Sequence, residues 1–196
     1  MCFWRCFWSR SSHLFLVYAL AYLGVNKFSK KYEYDLYTYG MTKYVAVDGR
    51  SGSGKTYFSL LLGEALQAPV VHLDDYGDDY RPFIGIPTLK EVLQRQKADI
   101  VIYEGVGVFD ERLDEFHPFK ICIDTPKSTR LQRLRDRDVP NESRSAEEWE
   151  KIEAIWHEAE NEYFAMMHLH EIHYYTDDSS DVAANGAVQA LRAAGY

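Results

Sequence analysis

The feature that most restricts what this chain can fold into is the stretch YVAVDGRSGSGKTYFSLLL, Tyr44 to Leu62. An apolar run, a loop carrying Gly49, Gly52 and Gly54, and a helical pattern follow one another without a gap. Gly49, Gly54, Lys55 and Thr56 satisfy the spacing G-x-x-x-x-G-K-[ST] directly after a predicted strand and at the opening of a predicted helix, the setting that this motif requires. There the backbone N–H groups of Gly49, Arg50, Ser51, Gly52, Ser53 and Gly54 can line a concavity at a helix N-terminus, where amides and helix dipole favour phosphate. Lys55 is expected outside the core, reaching the outer phosphates of a nucleotide such as ATP, and Thr56 is expected to hold a magnesium ion. The plainer reading is a glycine-rich turn that opens a helix and holds no ligand.

From Lys43 onward the pattern alternates between strand and helix. Short apolar runs at Tyr44 to Val47, Pro69 to Leu73, Ile100 to Tyr103, Phe119 to Ile123 and Ile172 to Tyr175 read as fully buried strands. Helical periodicity fills Lys55 to Gln67, Leu89 to Lys97, Lys127 to Arg137, Ser145 to Met167 and Ser180 to Ala194. The fold class is therefore α/β, a doubly wound five-stranded parallel sheet, with ligands expected beyond the carboxyl ends of its strands.

Residues 1–40 read differently from residues 41–196. They are rich in aromatic residues, and their uncharged run from Leu14 to Val25 is 12 residues long, whereas a spanning helix needs about 20. A secretory signal fits poorly, because the small-residue triplet Ala19-Leu20-Ala21 lies inside the run and not after it. The preferred reading is an extension outside the core, with Met41 as the working start; an anchor touching a membrane is the second. Residues 1–40 carry a net +3 and the remainder −11, for −8 over the whole chain. So acidic a body repels a phosphodiester backbone, which argues against a nucleic-acid partner and leaves a small anionic ligand held by local amides and lysine. Three cysteines, Cys2, Cys6 and Cys122, make no disulfide framework and suit a reducing, cytoplasmic setting. Cys122, inside an apolar run, reads as a small core residue.

Further candidates lie at other strand ends. HLDDYGDDY puts Asp74 and Asp75 after the second strand, with Asp74 facing the loop and Asp75 turned away if strand alternation persists. VIYEGVGVF ends the third strand on Glu104, a carboxylate against four apolar residues and costly there without a partner. Such an acid can hold magnesium directly or through water. In DTPKSTRLQRLRDRDVP, Arg130, Arg133 and Arg137 share one helix face. They suit a lid closing on phosphates, or else a solvated face paired with Asp136, Asp138 and Glu142. Trp149, Ile152, Trp156, Ala159, Tyr163 and Met166 form an amphipathic stripe read as core packing. His168, His170 and His173 cross a helix-to-strand junction and make a weak metal site.

The order GRSGSGKT, HLDDY, YEGVG, RLQRLRDRD resembles the uridine kinase and nicotinamide riboside kinase group of P-loop kinases, and most closely the bacterial uridine-kinase-like proteins. The resemblance runs from about Met41 to Thr176. It implies the P-loop nucleoside-triphosphate hydrolase fold of the nucleoside-monophosphate-kinase type, with ATP and Mg2+ as cofactors. By the same resemblance Asp74 accepts the proton of the substrate hydroxyl, Glu104 is the magnesium-side acid, and Arg130, Arg133 and Arg137 are lid arginines. The interval DYRPFIGIPTL, Asp79 to Leu89, lacks the longer insert of true uridine kinases, so the small-molecule phosphate acceptor stays open. Tyr76, Tyr80, Arg81 and Phe83 are candidates to stack on a base or cover a sugar. Lys55, Asp74, Arg133 and Arg137 are thus the catalytic candidates for phosphoryl transfer to a hydroxyl. A P-loop ATPase without an acceptor and a nucleotide-responsive interaction protein are the alternatives; a hydrolysing switch is disfavoured, since no residue recognisable as orienting a hydrolytic water stands out.

Overall fold

The computed structural model describes residues 42–77, 85–141 and 145–196, and Thr42–Tyr196 forms one compact unit. Its centre is β1 (Lys43–Gly49), buried from Tyr44 to its end. β1 is flanked by β3 (Ile100–Glu104) on one side and by β4 (Phe119–Ile123) on the other; β2 (Val70–His72) and β5 (Tyr174–Thr176) form the edges. Every pairing is parallel, giving the order β2-β3-β1-β4-β5.

Parallel strands require crossovers, and here helices supply them on both faces of the sheet. Alternation along β1 sends Tyr44 and Ala46 to one face and Val45 and Val47 to the other. The first face packs on Leu89 and Leu93 of α2 (Ile86–Gln94). The second packs on Phe58 and Leu62 of α1 (Lys55–Leu66) and on Ala187 and Leu191 of α5 (Asp181–Ala193). With both faces covered, β1 and β3 carry unbroken apolar runs, Tyr44–Val47 and Ile100–Tyr103. α3 (Lys127–Asn141) follows β4, and α4 (Ala146–Ala165) begins at a capping box made by Ser145 and Glu148. Among the described residues no helix is long and apolar enough to cross a membrane.

Three sequence expectations are corrected. β2 stops at His72 and Leu73–Asp75 forms a 3-10 turn, because the fully buried Leu73 turns inward to the core. Strand alternation therefore does not reach Asp74 and Asp75, and both are exposed. β5 runs from Tyr174 to Thr176 with Tyr175 60% exposed, since a strand at the sheet edge has one neighbour and an open flank. α2 starts at Ile86, three residues early, because Pro87 is tolerated in a first helical turn, where its missing N–H has no helical partner to lose. Cys122 is buried in the core as expected, and burial pushes its thiol up to about 12.

Candidate active site

The loop after β1 owes its shape to two glycines. Gly52 and Gly54 have φ of +76° and +88°, which residues with a Cβ rarely adopt. A Cβ on Gly52 would also stand 2.6 Å from the Arg130 carbonyl, and one on Gly54 2.5 Å from Ser179 Oγ in the turn after β5. Ser53 N–H closes a turn on the Arg50 carbonyl at 3.0 Å, and α1 begins at Lys55 immediately after Gly54. Lys55 is only 7% exposed, which corrects the expectation that it lies outside the core: as the first residue of α1, directly after the loop, it is buried with the start of that helix.

The carboxyl ends of β2 and β3 complete the site. His72 and Glu104 stand opposite each other in the β2–β3 register, and His72 Nδ1 lies 2.6 Å from Glu104 Oε1. Thr56 Oγ1 donates to that same oxygen at 3.0 Å. Glu104 is 2% exposed, and its Oε2 is buried with no hydrogen-bond partner. Two predicted metal-side residues, Thr56 and Glu104, are therefore brought into contact, and His72, which sequence reasoning passed over, joins them. Hard oxygen donors with one orphaned carboxylate oxygen suit Mg2+, which takes few protein ligands and completes its shell with water and phosphate. Among the described residues no group of three or more His, Cys, Asp or Glu side chains could hold a metal by itself.

Asp48, also missed, is fully buried directly before the loop. It accepts from Gly49 N–H at 2.7 Å, Gly107 N–H at 3.2 Å, Phe109 N–H at 3.3 Å and the Tyr163 hydroxyl at 2.6 Å. Burial pushes its carboxyl up to about 6, against the opposing pull of Tyr163, the Gly49 amide and the Lys55 charge. Desolvation and the neighbouring Asp48 carboxylate push the Tyr163 phenol up in turn. A sequence signal existed, an acid at the end of a buried strand; its partners come from loops and a helix remote in the chain.

The arginine row divides. Arg130 is 4% exposed, with Nε donating to the Thr125 carbonyl at 3.0 Å and Nη1 to the Ser51 carbonyl at 3.2 Å, while Nη1 lies 3.9 Å from Glu160 Oε2. Arg133 is exposed at its outer end, yet its Nη1 donates to the carbonyls of Ser53 at 3.0 Å and Gly52 at 3.4 Å. Arg137 is exposed one turn further along α3. Arg50 turns its side chain to α4, where it donates to Asn161 Oδ1 at 2.8 Å and lies 4.6 Å from the Phe164 ring centroid. Glu160 of α4 accepts from Ser51 N–H at 2.7 Å.

Other candidates scatter. Tyr76 is half-buried beside the core. Asp78, Asp79, Tyr80, Arg81 and Phe83 lie outside the described residues, as do the side chains of Trp149, Ile152, Trp156, Ala159 and His168. In the stripe on α4, Met166 is 52% exposed and Tyr163 reaches Asp48, so the last turns meet the loop and not the core alone. The ring of His170 lies 5.9 Å from that of Phe109, while that of His173 stacks on Phe119 and its Nδ1 accepts from Lys120 N–H at 3.0 Å.

Solved structures share the fold. A shikimate kinase from Bacteroides thetaiotaomicron is similar at a TM-score of 0.52, with 15% identity, over 76% of this chain and 96% of its own. A shikimate kinase from Acinetobacter baumannii in complex with shikimate is similar at 0.51, with 19% identity, over 79% of this chain and 93% of its own. The fold is the P-loop fold of the nucleoside-monophosphate-kinase type. At these identities the likeness is one of fold. No protein-family model matches the chain, and no curated protein matches it.

Proposed function

We propose that this protein is an ATP- and Mg2+-dependent small-molecule kinase that phosphorylates a hydroxyl, most readily that of a nucleoside or riboside. The observation that carries the reading is the linked set Thr56, Glu104 and His72, with the exposed Asp74 two residues beyond His72. In this reading the exposed carboxylate that follows the end of β2 serves the same end of the sheet as Glu104, the acid on the cation side of the phosphate-binding loop. A pure binding module has no use for such a carboxylate. The sequence resemblance supplies the nucleoside or riboside class, and the fold shared with shikimate kinases supports a hydroxyl acceptor in general.

In this reading the loop amides and Lys55 hold the β- and γ-phosphates, and Thr56 and Glu104 hold the cation, which when bound neutralises phosphate charge. Asp74 orients the acceptor hydroxyl and takes its proton as the new O–P bond forms and the bond to the ADP oxygen breaks. Arg137 offers its charge to the phosphoryl group in flight. Tyr76 is the acceptor-side candidate within the described residues; Tyr80, Arg81 and Phe83 keep that role from the sequence alone. The acidic body and the nucleotide requirement fit a cytoplasmic enzyme with a small-molecule partner and no nucleic acid.

The deciding assay is transfer of label from γ-labelled ATP to a panel of nucleosides, ribosides, shikimate and simple alcohols. A phosphorylated nucleoside or riboside is the expected product. Phosphate release without an acceptor would replace this reading with an ATPase, and binding without turnover with a nucleotide-responsive module.

A further inference from the structure

We propose that Thr125, Arg130 and Arg133 are positioning residues that aim the amides of the loop, and so decide how tightly it grips a diphosphate. The inference rests on the nucleotide-binding part of the function proposed above. Three consecutive loop carbonyls, those of Ser51, Gly52 and Ser53, are held by α3 and by Thr125, two residues before it. Arg130 Nη1 takes the first at 3.2 Å. Arg133 Nη1 takes the second at 3.4 Å and the third at 3.0 Å, and the buried hydroxyl of Thr125 also donates to the third at 2.9 Å. Arg130 Nε in turn holds the Thr125 carbonyl at 3.0 Å, which ties the donors into one block.

In a planar trans peptide the C=O and the following N–H point in opposite directions. Carbonyls drawn toward α3 therefore turn the N–H groups of Gly52, Ser53 and Gly54 away from it. Ser53 N–H is used internally, on the Arg50 carbonyl, which leaves Gly52 and Gly54 to join the free amides at the head of α1. Both glycines sit at positive φ, where nothing but outside anchors keeps so permissive a backbone in one state. Glu160 takes Ser51 N–H at 2.7 Å, so the peptide groups on both sides of Ser51 are held. A guanidinium committed to two carbonyls serves the ground-state cradle, and this separates Arg133 from an arginine that touches only the group in flight.

The two uses of Arg133 differ toward ADP, which carries no γ-phosphoryl group. The experiment is calorimetric titration of the full chain with ADP and Mg2+, for wild type, Thr125→Val, Thr125→Ser and Arg133→Ala, with 15N amide spectra of Gly52 and Gly54 and a thermal melt for each. Thr125→Val and Arg133→Ala should each raise the ADP Kd about tenfold, the scale of one lost hydrogen bond to a buried or charged group, while Thr125→Ser stays within about twofold of wild type. The Gly52 and Gly54 amide signals should move in the weakened variants and not in Thr125→Ser. Folded variants that bind ADP as wild type does would overturn the inference, as would a Thr125→Ser as weak as Thr125→Val. If Thr125→Val fails to fold, Arg133→Ala decides, since its side chain ends at the surface. A wild-type chain that binds no ADP would defeat the nucleotide reading itself, and with it this inference, by a result distinct from the other two.

Discussion

Replacing Asp48 with asparagine should alter the pH dependence of stability more than stability itself. Asp48 is fully buried, and its carboxyl is pushed from an ordinary 3.8 to about 6, chiefly by desolvation. Because the folded value is raised, the native state keeps a proton through the window from 3.8 to 6 that the unfolded chain has already released. The corresponding stability is fully present below the lower value and is lost as pH rises through the upper one. A shift of about 2 units at about 1.4 kcal/mol each makes the loss about 3 kcal/mol. Asparagine has no such titration, but its NH2 must face one of the N–H donors of Gly49, Gly107 or Phe109, at a fixed cost of about 1–3 kcal/mol. The variant should thus be the weaker protein at pH 4 and close the gap by about 2–2.5 kcal/mol on reaching pH 7, the first part of the loss falling below pH 4. Urea unfolding of both proteins at unit steps from pH 4 to pH 8 measures this, and taking the difference cancels the other carboxylates. Two parallel stability profiles would refute the reasoning, because they would mean that Asp48 titrates alike in the folded and unfolded chain.

Lys55→Met should keep the fold and abolish measurable ATP binding by calorimetry, since it preserves the buried stem and removes only the ammonium charge. Asp74→Asn should leave ADP affinity intact and slow acceptor phosphorylation about 10²-fold or more in the labelled-ATP assay, with Asp75→Asn doing less. Gly54→Ala should destabilise the fold by about 1–2 kcal/mol for a left-handed non-glycine residue plus the crowding against Ser179, seen as a lower melting temperature, and weaken ADP binding alongside. A chain beginning at Met41 should unfold cooperatively in urea and bind ADP as the full chain does, because β1 opens at Lys43; loss of folding would defeat that expectation.

Period and composition were enough to read the architecture. Runs of Val, Ile and Tyr long enough for a strand and too short for a helix, separated by helical periodicity, already imply parallel strands covered on both faces, and the observed order bears this out. The loop was legible for a local reason: only residues such as Gly52 and Gly54 readily permit the positive φ angles it uses, whatever anchors then hold them there. Edges were harder. A single position such as Leu73 chooses between extending a strand and turning into the core according to what lies beneath it, so the geometry of Asp74 and Asp75 could not be taken from alternation. The same held for the arginines, whose spacing gives a common helix face but not what that face meets. Only packing α3 against the loop commits Arg130 and Arg133 to the carbonyls of Ser51, Gly52 and Ser53. Asp48, Glu160 and His72 acquired roles solely through partners up to 115 residues away in sequence. Local sequence sets which conformations are permitted at a residue; which polar atom meets which is set by long-range contacts, because a buried charge is stable only where the rest of the fold delivers its donors.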